Sequence, residues 1–301
     1  MEKRRKLPRL CFLLTAALSL LGVALRTACM LACYESDIGY FTAGPLPTIS
    51  TILYFIAVAA PVVCLTAVPG RACPTTLPGS YANKTAAALL AISLAFVTLW
   101  TSIVPAASPS EITEVACKTA ILAAVYFLVS ALRKDAADRY PDWLSMLGFA
   151  PVLWSIAAAA DTYFDPFVTM NNPVKISLQM GLLGFMLIIL AELRFRLNKP
   201  LPRYSMAFWA IGSFTCLVGG VPATIAACVG RLPTDRYVLY AYVLLCAGLY
   251  GLSLLYDYTM RQDFGLPEPT EETQDTPADT PEGSPEVLPE DIPTDPTNTA
   301  E

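Results

Sequence analysis

The stretch Leu190-Ala191-Glu192-Leu193-Arg194-Phe195-Arg196 closes a long apolar run with an acid and two bases. Glu192 and Arg196 stand four residues apart, in the acid-then-base order that favours a pair on one helix face. A carboxylate at such a place has two readings. It is the ion-paired, snorkelling end of an ordinary membrane helix, or an acid facing a polar cavity or a proton path. Asn172 and Pro173 suit the cap and first turn of the same helix. Glu192 lies 16 residues beyond Ile176, about 24 Å along a helix, which puts it near the inner edge of an apolar core. The interfacial pair is the simpler expectation.

Lys175 sits in the first turn of that helix, where the helix dipole disfavours a cation. Asp161 and Asp165, in the connection before it, are the expected neutralising groups. Glu114 and Lys118 form a second pair at four-residue spacing, and Arg26 lies near the end of the first apolar run. Each is expected to snorkel or pair locally; were Lys118 and Arg26 to share a pocket, they would form an anion site. Gly219, Gly220 and Pro222 form a candidate helix break, a device used to build sites inside helical membrane proteins. Gly212, Cys216 and Gly220, spaced by four, read more simply as a small-residue packing face.

The chain has no histidine, which removes the commonest metal ligand and general base. Its nine cysteines include no Cys-x-x-Cys pair and fall mostly in apolar runs, where a thiol behaves as a small hydrophobe. Cys33, Cys117 and Cys228 sit near the outer ends of their helices, where a pair of them could form a disulfide if that compartment is oxidising. No metalloprotease, nucleophile-elbow or phosphate-loop motif is present. No catalytic residue, cofactor or metal site is therefore expected.

What must position these charges follows from composition. Of the 301 residues, 55% are hydrophobic and 15% charged, far from the pattern of a soluble domain. Eight runs are long enough to cross a bilayer: Leu10–Ala32, Thr48–Val68, Ala86–Val104, Val115–Leu132, Trp143–Ala160, Val174–Leu193, Ser205–Val229 and Tyr237–Tyr256. The fifth contains Pro151 and is the least regular. Lys3, Arg4, Arg5, Lys6 and Arg9 precede the first run, and basic residues recur in every second connection (Arg71 and Lys84; Arg133, Lys134 and Arg139; Arg194, Arg196, Lys199 and Arg203). The positive-inside rule then places both termini in the cytoplasm. A basic start before an apolar run also resembles a signal peptide, but the length of the run favours an uncleaved anchor. The opposite side carries Glu35, Asp37, Glu111, Glu114, Asp161, Asp165 and Asp235 against Lys175, Arg231 and Arg236, an acidic mouth if all are exposed. Tyr237, Tyr256 and Tyr258 read as interfacial belts.

Residues 262–301 hold 12 acids, eight prolines and no Lys or Arg. Such a segment cannot bury enough surface to offset its ordering entropy and is expected to be disordered. The other 261 residues carry all 20 bases and 13 acids, so the net charge of −5 belongs to the tail rather than the body. The expectation is an all-α polytopic membrane protein: a basic segment 1–9, an eight-helix bundle over 10–258 and a disordered acidic tail over 259–301. Its expected partner is the lipid bilayer, not nucleic acid; the tail reads most simply as a solvated, self-repelling segment, with docking to a basic cytoplasmic protein as the sharper alternative. Function falls first on a non-catalytic scaffold or sensor in the cell membrane. A transporter using Glu192 and the broken seventh helix comes second, and an intramembrane enzyme last.

Overall fold

The apolar runs fold into helices whose ends are set by the Pro, Gly and Asn residues that bound them. In the computed structural model the described residues are 2–35, 38–66, 73–77, 79–103, 111–133, 141–165, 168–232 and 236–261. The elements are α1 (Glu2–Ala32), β1 (Tyr34–Glu35), β2 (Tyr40–Phe41), α2 (Pro45–Thr66), α3 (Tyr81–Ile103), α4 (Glu111–Leu132), α5 (Asp142–Leu147), α6 (Ala150–Tyr163), α7 (Pro173–Arg196), α8 (Pro202–Cys228) and α9 (Arg236–Arg261). Among the described residues eight units are long and apolar enough to cross a membrane, α5 and α6 together forming the fifth, Asp142–Tyr163. Most helices extend a few residues past the apolar runs, because backbone hydrogen bonding continues until a breaker intervenes. The acidic tail, 262–301, lies outside the described residues, as do Asp37, Arg71, Lys134, Arg139 and Asp235.

Helix ends obey local chemistry. Asn172 caps α7, its side chain accepting from the Val174 amide at 2.8 Å and the Lys175 amide at 3.4 Å, with Pro173 first in the helix. At the other end Asn198 takes φ +55°, and the Lys199 and Asn198 amides close back on the Arg194 and Phe195 carbonyls at 2.9 and 3.1 Å. Gly230, φ +73°, ends α8 in the same way. Arg203 caps α2 from outside, donating to the Leu65 and Thr66 carbonyls at 2.7 and 2.5 Å. The fifth unit breaks where its proline foretells, at Gly148 and Phe149, and Pro151 then falls in the first turn of α6, where its missing N–H costs nothing.

The core is a three-helix wedge of α7, α8 and α9, held at backbone contact by glycine. The antiparallel α7–α8 seam meets at Gly184 and Gly212, where a Cβ on Gly212 would lie 2.5 Å from the Gly184 carbonyl oxygen. One turn on, the Cys216 thiol donates to the Gly181 carbonyl at 3.2 Å, and beyond it a Cβ on Gly219 would lie 2.6 Å from the Ser177 carbonyl. Gly220 faces the other neighbour, where its Cβ would sit 2.5 Å from backbone atoms of Ala241 and Leu245 on α9. The run Gly219–Pro222 is therefore not a break: α8 passes through it as one helix. Its glycines exist to admit two neighbouring backbones, the small-residue packing expected of this face. Around this wedge, α2, α3, α4 and α6 leave large apolar side chains exposed along their outer flanks, among them Ile52, Phe55, Val63, Ile92, Leu99, Leu122 and Leu153.

Candidate functional site

Two charged clusters lie inside the bundle, one toward each end. The end where α1 starts and α9 finishes is the terminal face, and the other the far face. The far-face cluster is built by α6, α9 and the segment between α6 and α7. Asp161, in the last turn of α6, accepts from Thr113 of α4 at 2.5 Å and from the Tyr240 hydroxyl at 3.0 Å. Asp165 accepts from the Tyr237 hydroxyl and from Arg236, each at 2.6 Å. Arg236 also lies 3.5 Å from Asp161, so one guanidinium bridges both acids. Both acids are buried. They form no open acidic mouth, because the first turn of α9 brings a fork-shaped cation and two phenols directly over them. Among the outer acids that are described, Glu35 and Glu111 are the exposed ones beside Glu114.

Lys175 belongs to the same end. It is 1% exposed, and its ammonium donates to the carbonyls of Asp165 at 3.3 Å and Val168 at 3.2 Å. It meets the backbone of Asp165 rather than the carboxylate, which Arg236 takes. Beside Lys175 a cleft of about 420 Å3, counting the open space at its mouth, is lined also by Tyr34, Asn172, Val174, Ala223 and Tyr237. The β1–β2 hairpin brings Tyr34 there, its hydroxyl accepting from the Asn172 amide at 3.3 Å.

The terminal-face cluster centres on Glu192, which is fully buried. One of its oxygens accepts from the Tyr250 hydroxyl of α9 at 2.7 Å, and the other lies 3.4 Å from Arg196. The acid therefore faces the bundle interior and not lipid headgroups, against the simpler expectation. The helix end of Arg196 opens on a second cleft, about 330 Å3 with its open space, between α3, α4, α7 and α9. Lys84, Arg133, Ser80 and Asn83 line it as well. Nearby, Asp257 accepts from Ser80 and pairs with Arg261 at 3.5 Å, tying the start of α3 to the end of α9.

Between the clusters stands an aromatic layer. From Tyr240 the ring centroids step to Trp154 (6.0 Å), Phe185 (5.6 Å), Phe127 (6.1 Å) and Tyr250 (5.4 Å). All five rings are at most 1% exposed. Tyr240 and Tyr250 are ten residues apart on one helix, about 15 Å, so the layer separates the two polar ends by roughly half a membrane thickness.

The other expected residues stay apart. Glu114 and Lys118 pair at 2.6 Å on the exposed surface of α4, with side chains 63% and 72% exposed. Arg26 donates to the Pro173 carbonyl and the Ser177 hydroxyl at 2.9 and 2.7 Å and stacks 4.7 Å from the Phe41 ring, so it shares no pocket with Lys118. All nine cysteines are free thiols, and no disulfide joins Cys33, Cys117 and Cys228. Tyr237 and Tyr258 are buried hydrogen-bond donors rather than interfacial belts, Tyr258 reaching the Pro74 carbonyl at 2.5 Å; Tyr256 alone of the three is exposed. Sequence reasoning missed Arg236, Tyr240 and Tyr250 as partners. The available signal was the four-residue spacing of Asp161 and Asp165 at the end of an apolar run.

No family model, curated protein or solved structure matches this chain.

Proposed function

We propose that the chain is a polytopic membrane protein of the cell membrane, with both termini in the cytoplasm, and that it works as a non-catalytic sensor. The exposed apolar flanks of α2, α3, α4 and α6 suit lipid rather than water. The basic connections on the terminal face support the cytoplasmic placement. A scaffold needs no buried charges, since an ion pair inside a bundle gains little over well-packed apolar residues. Charges kept at such positions are the mark of a working site.

One observation carries the sensor reading. Helix α9 lines both clefts, through Tyr237 at the far face and Tyr250 at the terminal face, and ends at Arg261, where the acidic segment begins. It also supplies a donor to each of Asp161, Asp165 and Glu192. A shift of α9 on ligand binding would therefore reach both clusters and the tail together, which fits a tail that recruits a basic cytoplasmic partner. The test is affinity capture from cells with the full chain, a chain lacking residues 262–301, and Tyr250→Phe. Loss of one captured partner on tail deletion, and altered capture by Tyr250→Phe, is the expected result. The same captured set from all three would refute the reading.

A second reading, transport of a small solute or ion, draws on the two polar ends divided by an aromatic layer. That is the form of an occluded state, opened by parting Trp154, Phe185 and Phe127. Reconstituted vesicles decide it: Glu192→Gln should abolish coupled uptake, and unchanged flux would remove Glu192 from such a role.

A further inference from the structure

Lys175 is a cation set where positive potential is already concentrated, in the first turn of α7 beside capped amides. Burial at 1% exposure would ordinarily demand a carboxylate partner. It has two backbone carbonyls instead, at 3.2 and 3.3 Å, long for charge-assisted bonds. No carboxylate among the described residues lies within ion-pair distance of Nζ. The acids nearest in sequence, Asp161 and Asp165, are bridged by Arg236. An ammonium carries three N–H donors, so one is left beyond the two carbonyls.

Lys175 is one of the residues that line the far-face cleft. Tyr34 lines it too, and its hydroxyl accepts from Asn172 while its own proton has no acceptor among the described residues. Apolar side chains share the lining, Val174 and Ala223 among them, buried at 7% and 3% exposure. Two donor-bearing side chains on the lining of one cleft, one of them a buried cation with no carboxylate partner among the described residues, beside apolar side chains, complement a single-charged anion with an apolar body. A neutral solute would leave the cation unmatched, and a dianion would call for a second cation at the cleft. The 420 Å3 includes open space at the mouth, so the enclosed part is much smaller than that, which limits the ligand to a short aliphatic or single-ring acid.

We propose that the far-face cleft binds a small monocarboxylate, its oxygens taking the N–H of Lys175 and the O–H of Tyr34, its apolar body against Val174 and Ala223. What binding does to the tail rests on the sensor reading; the ligand chemistry does not.

The experiment is calorimetric titration of the full-length protein in nanodiscs with hexanoate and benzoate, and with hexan-1-ol as the uncharged control. Saturable binding of the acids, at least tenfold tighter than the alcohol, is expected. Lys175→Met should weaken hexanoate at least tenfold without lowering the unfolding midpoint, since it removes a buried unpaired charge. Tyr34→Phe should weaken it a few-fold, and Ala223→Phe should block it by filling the cleft. Binding of acid and alcohol alike, or hexanoate binding unchanged in both Lys175→Met and Ala223→Phe, would overturn the assignment. Absence of hexanoate binding while the tail still captures its partner overturns the ligand alone. Hexanoate binding that leaves capture unaltered supports the ligand and tells against the sensor.

Discussion

Replacing Arg196 with Met isolates the buried pair on α7. At 3.4 Å and an effective dielectric near 20, the attraction between the two charges is about 5 kcal/mol. Desolvation of each ion costs several kcal/mol and largely cancels it. Removing one member cancels only the attraction. Glu192 is fully buried and sits where its side chain cannot reach water, so Arg196→Met should destabilise the bundle by about 3–5 kcal/mol. Glu192→Leu should cost less, about 1–2 kcal/mol, because Arg196 lies in the last turn and can extend past the helix end. The double replacement, Glu192→Leu with Arg196→Met, should return to within about 1 kcal/mol of the parent, since neither charge is then stranded. Tyr250→Phe removes a donor to the same carboxylate and should cost about 1.5–3 kcal/mol. Reversible unfolding by dodecyl sulfate in mixed micelles, followed by tryptophan fluorescence, measures all four. A parent-like midpoint for Arg196→Met, or a double variant as unstable as that single one, would show that Glu192 is solvated and the buried cluster mistaken.

Two further predictions test packing and orientation. Gly212→Ala drives a methyl to 2.5 Å from the Gly184 carbonyl and 2.6 Å from Ile188 and should cost about 1–3 kcal/mol in the same assay, whereas Gly44→Ala, with nothing within 4 Å, should leave the midpoint unchanged; equal midpoints would deny the seam. In intact cells a membrane-impermeant maleimide should label a variant whose single thiol is Cys228, exposed at the far face. A variant keeping only Cys73 should react after permeabilisation, and slowly, because burial pushes that thiol up despite the pull of Arg203. Labelling of Cys73 from outside would invert the topology.

The spans were legible because a helix end is a local event. Asn172, Pro173 and the residues after Arg196 specify α7 with no knowledge of its neighbours, and the interruption near Pro151 announced itself. The clusters were not legible, because they join residues far apart in the chain: 58 positions separate Tyr250 from Glu192 and 79 separate Tyr240 from Asp161. Which face α9 turns inward depends on where Gly220, Gly248 and Gly251 let it approach, and in α7, apolar on nearly every side, periodicity hardly marks a face. Glu192 was misread for that reason. Its place near one end of the helix could be read from the sequence, but place along a helix says nothing of rotation about the axis. Gly219 and Gly220 were ambiguous in the same way, since a glycine that breaks a helix and one that admits a neighbour look identical in sequence.

Helix α9, synthesised after the other described helices, carries Arg236, Tyr237, Tyr240 and Tyr250, the donors that reach Asp161, Asp165 and Glu192. During translation, then, acids from the fifth and sixth spans wait in an unfinished bundle for groups still inside the ribosome. The glycine contacts of α8 with α9 close at the same late moment. A nonsense mutation or ribosomal stall anywhere before Arg236 leaves a nascent chain with apolar helices and buried carboxylates that lack their α9 donors. The arrangement makes synthesis of α9 a condition of the bundle's survival.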